Sequence, residues 1–276
     1  MVVILRSPIA AGMLYDLNPD NLRKQLDYFL ENAKTKKLKE RVVAALVPHS
    51  SYIYSGKVAT EFYSAVDQSN FVIIGSNHAA YGSAFTTMRN CLWKTPIGEV
   101  VVDDFFADRL LKESGMVEFD AFAHEQEYSI EVQLPFLLHK IGEFKMLPIA
   151  VNDQLPDKEF LENCRAVGRM IGKLAKAMGG WKIIGSSDLS KAAQKEFVEI
   201  ADRQLFKSIT KLDCKDLFSR VKGENKGVCG YGAIATTIFA AKEMGAKRGR
   251  VVGYGTSADI DETMLPVTGY ASVIFY

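Results

Sequence analysis

The residues best able to do chemistry in this chain stand just beyond short apolar runs. The run 42–47 is followed by Pro48-His49-Ser50-Ser51-Tyr52, the run 71–75 by Ser76-Asn77-His78, and the run 182–185 by Ser186-Ser187-Asp188. The run 250–254 leads into Gly255-Thr256-Ser257-Ala258-Asp259. Of the four histidines in the chain, two occupy the first two of these ends. Neutral imidazole is the commonest protein ligand for transition metals, so two histidines at neighbouring strand ends could share one ion; each could equally be a structural hydrogen-bonding residue. A third ligand must come from elsewhere. Cys229 is the leading candidate, because Gly227-Val228-Cys229-Gly230-Tyr231-Gly232 is a glycine-flanked turn opening a predicted helix, whose positive end favours thiolate. The alternative for Cys229 is a small apolar side chain filling a helix–sheet contact. Cys91, Cys164 and Cys214 fall in a strand edge or in helices and read as structural.

A second polar cluster, His124-Glu125-Gln126-Glu127-Tyr128-Ser129-Ile130-Glu131, precedes the apolar Leu134-Pro135-Phe136-Leu137. Ser129 can cap the helix that follows, with carboxylates in and before its first turn. Glu127 and Tyr128 then stand at a helix N-terminus facing the same edge, where they could orient ligands or act as acid or base.

These residues need a scaffold that brings strand ends together, and the chain's patterning supplies one. Strands are predicted over 42–47, 71–75, 145–151, 182–185, 250–254 and 272–276, several of them continuously apolar as strands buried on both faces should be. The first predicted helix is well signalled: Asn18 can cap it, Pro19 suits its first position, and Leu22, Leu26, Phe29 and Leu30 repeat on one face. Further helices are expected over 57–66, 104–113, 130–141, 158–177, 192–209 and 232–244. The alternation predicts an α/β fold, a single three-layer domain over residues 1–276 with a central, mostly parallel sheet flanked by helices. In such sheets ligands bind beyond the carboxyl ends of the strands, which is where the polar runs lie.

Composition bounds the function classes. Of 276 residues 48% are hydrophobic and 24% charged, enough apolar material for a sizeable core, and Lys+Arg 34 against Asp+Glu 33 leaves a net charge of +1. That balance predicts no nucleic-acid partner and no membrane surface. The basic stretch Lys34 to Arg41 reads as the solvated end of a helix. No segment approaches the ~18 consecutive apolar residues of a membrane span, Pro8 comes too early for a signal peptide, and four scattered cysteines suit a reduced, cytoplasmic protein. The sequence carries no HExxH, paired CxxC, GxSxG or Walker A motif, which sets aside most proteases, structural zinc modules, α/β-hydrolases and P-loop enzymes. Two GxGxxA matches, at 230–235 and 253–258, lack the βαβ context that dinucleotide binding needs.

Further ordered motifs run nearly end to end through the chain. They comprise Arg6-x-Pro8-x-x-Ala11-Gly12-x-x-Tyr15, Val47-Pro48-His49-Ser50-Ser51-Tyr52-Ile53-Tyr54-Ser55-Gly56, Ile74-Gly75-Ser76-Asn77-His78 and Trp93-x-Thr95-Pro96-Ile97-Gly98. Ser129-Ile130-Glu131-Val132-Gln133-Leu134-Pro135-Phe136, Ser186-Ser187-Asp188-Leu189-Ser190 and Val228-Cys229-Gly230 complete them. In this order the motifs resemble the Memo family (mediator of ErbB2-driven cell motility), whose archaeal and bacterial members are also called AmmeMemoRadiSam system protein B.

The resemblance implies a fold similar to class III extradiol dioxygenases of the LigB type and a metal held by His49, His78 and Cys229. Iron and copper are both implied: thiolate with imidazole suits copper, whereas iron oxygenases more often use two histidines and a carboxylate. Where many members have histidine, this chain has Tyr128 before Ser-Ile-Glu and Lys191 after Ser-Ser-Asp, so a mechanism needing a neutral-pH proton carrier loses two of them. Glu127, Asp188 and Tyr128 are the expected catalytic residues, and Tyr52 and Lys191 the expected substrate-pocket residues. The expected activity is metal-dependent and redox or dioxygenase-like. A small-molecule or peptide ligand is expected, and the alternative is a non-catalytic binding or signalling-type protein whose inherited crevice receives a peptide or a protein partner. An accessory role beside AMMECR1-like and radical-SAM proteins is a third implication.

Overall fold

A computed structural model describes residues 3–35, 37–223 and 227–276. Met1 and Val2 of the N-terminal apolar stretch and Lys36 of the basic stretch lie outside the described residues. In chain order the elements begin β1 (Ile4–Arg6), α1 (Pro19–Glu31), β2 (Ala44–Val47), α2 (Tyr52–Tyr63), β3 (Asn70–Ser76), β4 (Phe85–Thr87), β5 (Cys91–Thr95) and β6 (Gly98–Val102). They continue α3 (Asp104–Ser114), β7 (Glu118–Phe119), α4 (Ala121–Glu125), a 3-10 turn (Glu131–Gln133), α5 (Leu134–Ile141), β8 (Lys145–Val151) and α6 (Lys158–Met178). The last are β9 (Trp181–Ser186), β10 (Lys191–Ala192), α7 (Lys195–Thr210), α8 (Cys214–Gly223), α9 (Tyr231–Glu243), β11 (Gly249–Thr256), a 3-10 turn (Ser257–Asp259) and β12 (Val267–Phe275).

The fold is α/β, built on a large mixed, mostly parallel sheet of order β1-β5-β6-β8-β3-β9-β2-β12-β10. Its centre, β6-β8-β3-β9-β2, is entirely parallel. β12 runs antiparallel to β2, β10 and β11. Alternate residues of each central strand point to opposite faces. Leu46, Val72, Ile74, Leu147 and Ile149 meet one core with Phe106 of α3, Phe160 of α6 and Ala233 of α9. Val47, Phe71, Ile73 and Ile184 meet the other with Leu22 of α1, Phe62 of α2 and Phe136 of α5. Burying both faces is why these strands read as unbroken apolar runs, and each fully buried Ile, Leu or Phe contributes roughly 1.5–3 kcal/mol. α9 and α6 pack closely because a Cβ on Gly168 would lie 2.4 Å from the Thr236 carbonyl oxygen and one on Gly172 2.5 Å from that of Ala240.

Several local expectations are corrected. The helix expected over 130–141 divides into the 131–133 turn and α5, because Pro135 has no N–H to give and suits a first turn. Ser129 does not cap it: the Ser129 N–H donates to the Glu127 carboxylate, and its hydroxyl to the Ser76 carbonyl at 3.4 Å. α2 starts at Tyr52 rather than 57, so Tyr52 is a helical residue. α7 starts at Lys195, because Lys191 and Ala192 pair with Thr268 and Val267. Among the described residues 34–35 and 37–41 there is no helix. α1 stops at Glu31, and the main-chain N–H groups of Lys34 and Thr35 donate to the Glu61 carboxylate at 3.0 and 2.8 Å.

Candidate metal centre

β9 lies between β2 and β3, with Val47 opposite Ser186 and Ile74 opposite Gly185. His49 and His78 therefore emerge on either side of Ser186-Ser187-Asp188. Cys229 arrives from across the sheet edge on the turn into α9. Gly230, at φ 81°, caps that helix, and a Cβ there would lie 2.3 Å from Ser76 Oγ, so only glycine makes this turn unstrained. The Cys229 N–H donates to the Asp188 carbonyl at 3.1 Å, and the Ser187 hydroxyl donates to the Cys229 carbonyl at 2.6 Å. Ligand atoms of His49, His78 and Cys229 fall within 4.8 Å of one another. His78 Nε2 is 3.1 Å from Cys229 Sγ, and the two imidazoles meet edge-on at 87°. One ion at ordinary metal–nitrogen and metal–sulfur distances needs donors about 3.5 Å apart, so the three residues fit a metal.

Their neighbours set which nitrogen faces inward. The Ser186 hydroxyl donates to the Ser129 carbonyl at 2.7 Å and accepts from the Gln133 amide at 2.8 Å, leaving a lone pair for His49 Nδ1 at 3.2 Å. His49 Nδ1 must therefore carry the proton. His78 Nδ1 lies 3.1 Å from a Glu127 carboxylate oxygen, which can only accept. Both rings thus keep Nε2 unprotonated when neutral, with its lone pair free, the arrangement that holds metal-binding histidines in register. Burial makes these bonds strong: Glu127 is 0% exposed and His49 2%.

Charge follows the geometry. Burial alone would raise the Cys229 thiol, but His49 and His78 bring it down to about 6. Burial opposes charge on His78, yet its bonds to Cys229 and Glu127 lift it to about 10. Against burial, Asp188 and Cys229 also raise His49. Glu127 is held low against its burial by His78 and the Ser129 N–H. Without metal the cluster is a thiolate beside imidazolium, and an ion would displace those protons.

Asp188 holds the main chain of His49 through its N–H at 2.9 Å and accepts from Ser50 Oγ at 2.6 Å, with Oδ2 3.7 Å from His49 Nε2. Tyr128 lies flat on the His78 ring, centroids 4.4 Å apart and planes at 13°. Burial and the nearby Cys229, Glu127 and Asp188 charges raise its phenol, so it is held neutral. Tyr52 is not on the site wall. Its ring packs on Phe136 at 4.7 Å and its hydroxyl donates to the Val132 carbonyl, as expected for a buried residue on the first turn of α2. Lys191 is exposed on β10.

The sequence reading passed over Asp153. It follows β8 by two residues, accepts from the Gly232 N–H at 2.9 Å, and is pushed up to about 7, chiefly by burial. Its signal in the sequence is its place just beyond the 145–151 run, as His49, His78 and Asp188 stand just beyond theirs. Gln133 and Glu131 carry no such local signal.

A model of the Memo-like protein family matches residues 6–274. A MEMO1 family protein of Methanococcus vannielii is 35% identical over 288 residues, spanning 98% of this chain and 99% of its own. One of Methanosarcina acetivorans is 36% identical over 273 residues, spanning 98% of each chain. An uncharacterised protein of Escherichia coli K12 shares the fold at a TM-score of 0.56 and 10% identity, covering 86% of this chain and all of its own. With a family model spanning nearly its whole length and relatives above one-third identity, the chain belongs to the Memo-like family.

Proposed function

We propose that this chain is a metal-dependent redox protein holding one iron or copper ion on His49 Nε2, His78 Nε2 and Cys229 Sγ. The observation that carries the reading is the pair of fixed tautomers, because Ser186 and Glu127 hold both Nδ1 protons outward. A thiolate with two imidazoles favours a soft or borderline ion, copper above all, and three protein ligands leave a position for an incoming ligand. The ion would supply electron transfer or O2 activation. The chain's own residues bind and orient. Asp188 fixes the His49 main chain, Tyr128 covers one face of His78 and offers a neutral hydroxyl, and Asp153 holds the start of α9 behind Cys229.

A second reading, a peptide or protein partner received at the same site without turnover, is favoured by Tyr128 and Lys191, since neither supplies an imidazole. The remaining histidines do not compensate: His124 is 0% exposed, and His139 pairs with Asp27 at 2.6 Å. The test is O2 consumption by copper- or iron-loaded protein with aromatic diols, beside His78→Ala. Uptake above that of the free ion and lost in the variant supports redox function. A stably bound ion with no uptake and no reduction by any diol sinks it in favour of the partner reading.

A further inference from the structure

The N-terminal motif Arg6-x-Pro8-x-x-Ala11-Gly12-x-x-Tyr15 lies apart from the three candidate ligands, yet it converges on one buried carboxylate. Glu131, 0% exposed, pairs with the Arg6 guanidinium and accepts from the Ile9 and Ala10 N–H groups at 2.9 and 2.8 Å and from the Tyr15 hydroxyl at 2.6 Å. Arg6 is itself 2% exposed and lies 4.2 Å over the Trp93 ring. Its other N–H groups do not merely neutralise Glu131. Nε donates to the His124 carbonyl at 3.1 Å, and Nη2 donates to the Glu127 carbonyl. One planar cation therefore fixes three points of the segment 124–131, which a point-charge ammonium cannot do.

That segment orients both imidazoles. Glu127 accepts from His78, and the Ser129 carbonyl accepts from the Ser186 hydroxyl that in turn faces His49. We propose that Arg6 is a positioning residue for the metal centre, locking the 124–131 segment and through it the inward-facing Nε2 of both histidines. The inference rests on the metal-binding reading for its consequence, while its geometric core concerns the hydrogen bonds of the two imidazoles alone. It gives the motif a physical role: Ala10 and Tyr15 complete the shell of Glu131, while Arg6 also holds the His124 and Glu127 carbonyls, some 120 positions later in the chain.

The test uses full-length Arg6→Lys, which keeps the charge opposite Glu131 but loses the fork, with Tyr15→Phe as control, because it weakens the same shell without touching Arg6. Zinc, a redox-silent probe, is titrated against a competing chelator, and ring-nitrogen NMR of metal-free protein reads whether each histidine Nδ1–H stays in its hydrogen bond to Glu127 or Ser186. The expected result for Arg6→Lys is a loss of zinc affinity of about 10- to 100-fold with both Nδ1 hydrogen bonds weakened, as when an outer hydrogen bond to a metal ligand is removed. Tyr15→Phe should lose melting temperature yet keep affinity within about twofold, a much smaller change than outer-shell loss produces. Wild-type affinity and wild-type Nδ1 hydrogen bonds in Arg6→Lys would overturn the proposal, and so would equal losses in the two variants. If wild-type protein takes up no zinc, the metal reading fails separately and the Nδ1 hydrogen bonds still decide the role of Arg6. Should Arg6→Lys not fold, Arg6→Gln with Glu131→Gln, which removes both buried charges, carries the same readings.

Discussion

Glu127 and His78 are joined twice: one carboxylate oxygen lies 3.1 Å from the imidazole Nδ1 and 3.0 Å from the main-chain N–H of the same histidine. A buried acid thus fixes the ring and the backbone of the residue whose Nε2 meets Cys229. Glu127→Gln keeps the size but puts an amide where only acceptors fit. Metal affinity should fall by about 10- to 100-fold, read by chelator competition, and an affinity equal to wild type would show that the pair does not orient the ligand.

Cys229 should behave unlike the other three cysteines. With its thiol near 6, alkylation of metal-free protein should reach half its maximal rate close to pH 6, and bound metal should block it. His49→Ala removes one of the charges that lower it and should move that midpoint upward. Burial raises the thiols of Cys91, to about 11, and Cys214, to about 12, and raises Cys164 as well, so these should stay unlabelled at neutral pH. Equal labelling with and without metal would contradict the ligand assignment.

The turn that presents Cys229 should tolerate no side chain at Gly230. Its φ of 81° and the 2.3 Å approach to Ser76 Oγ predict that Gly230→Ala costs about 1–3 kcal/mol and displaces the thiol. Urea unfolding gives the first quantity and metal competition the second. A variant of wild-type stability and affinity would mean that the turn does not set the site.

His124 predicts an acid sensitivity separate from the metal. It is 0% exposed, its Nδ1 has no hydrogen-bond partner, and burial lowers it to about 4. The unfolded chain binds this proton near pH 6.5 and the folded chain only near 4, so the unfolded state holds more protons between those values. Stability contributed by the neutral ring is fully present above 6.5 and is lost as pH falls towards 4, on the order of 3 kcal/mol in all. Denaturant midpoints between pH 4 and 7 should show this slope in wild type and a flatter one in His124→Gln. Identical slopes would place the acid sensitivity elsewhere.

The sheet and two of the three candidate ligands were legible because apolar runs 42–47 and 71–75 are strands buried on both faces, and parallel neighbours must end together. Cys229 was legible only as a glycine-flanked turn, since nothing local says that it will face His78 across 151 positions. Tyr52 read as a loop residue because it closes a polar run, whereas Ser51 is already the cap of α2 and the ring turns into the core. Arg6 and Glu131 left no trace as a pair. Two charges 125 positions apart have no period, and their meaning appears only when β1 is laid beside β5 and the 131–133 turn closes over it.

The central claim, that His49, His78 and Cys229 hold an ion, is tested most directly by elemental analysis of untagged protein purified without chelator, beside a His49→Ala, Cys229→Ser double variant of confirmed fold. The account predicts iron or copper approaching one ion per chain in the wild type and none in the variant. Protein that holds no metal even after anaerobic reconstitution, or a variant that keeps it, would contradict the account.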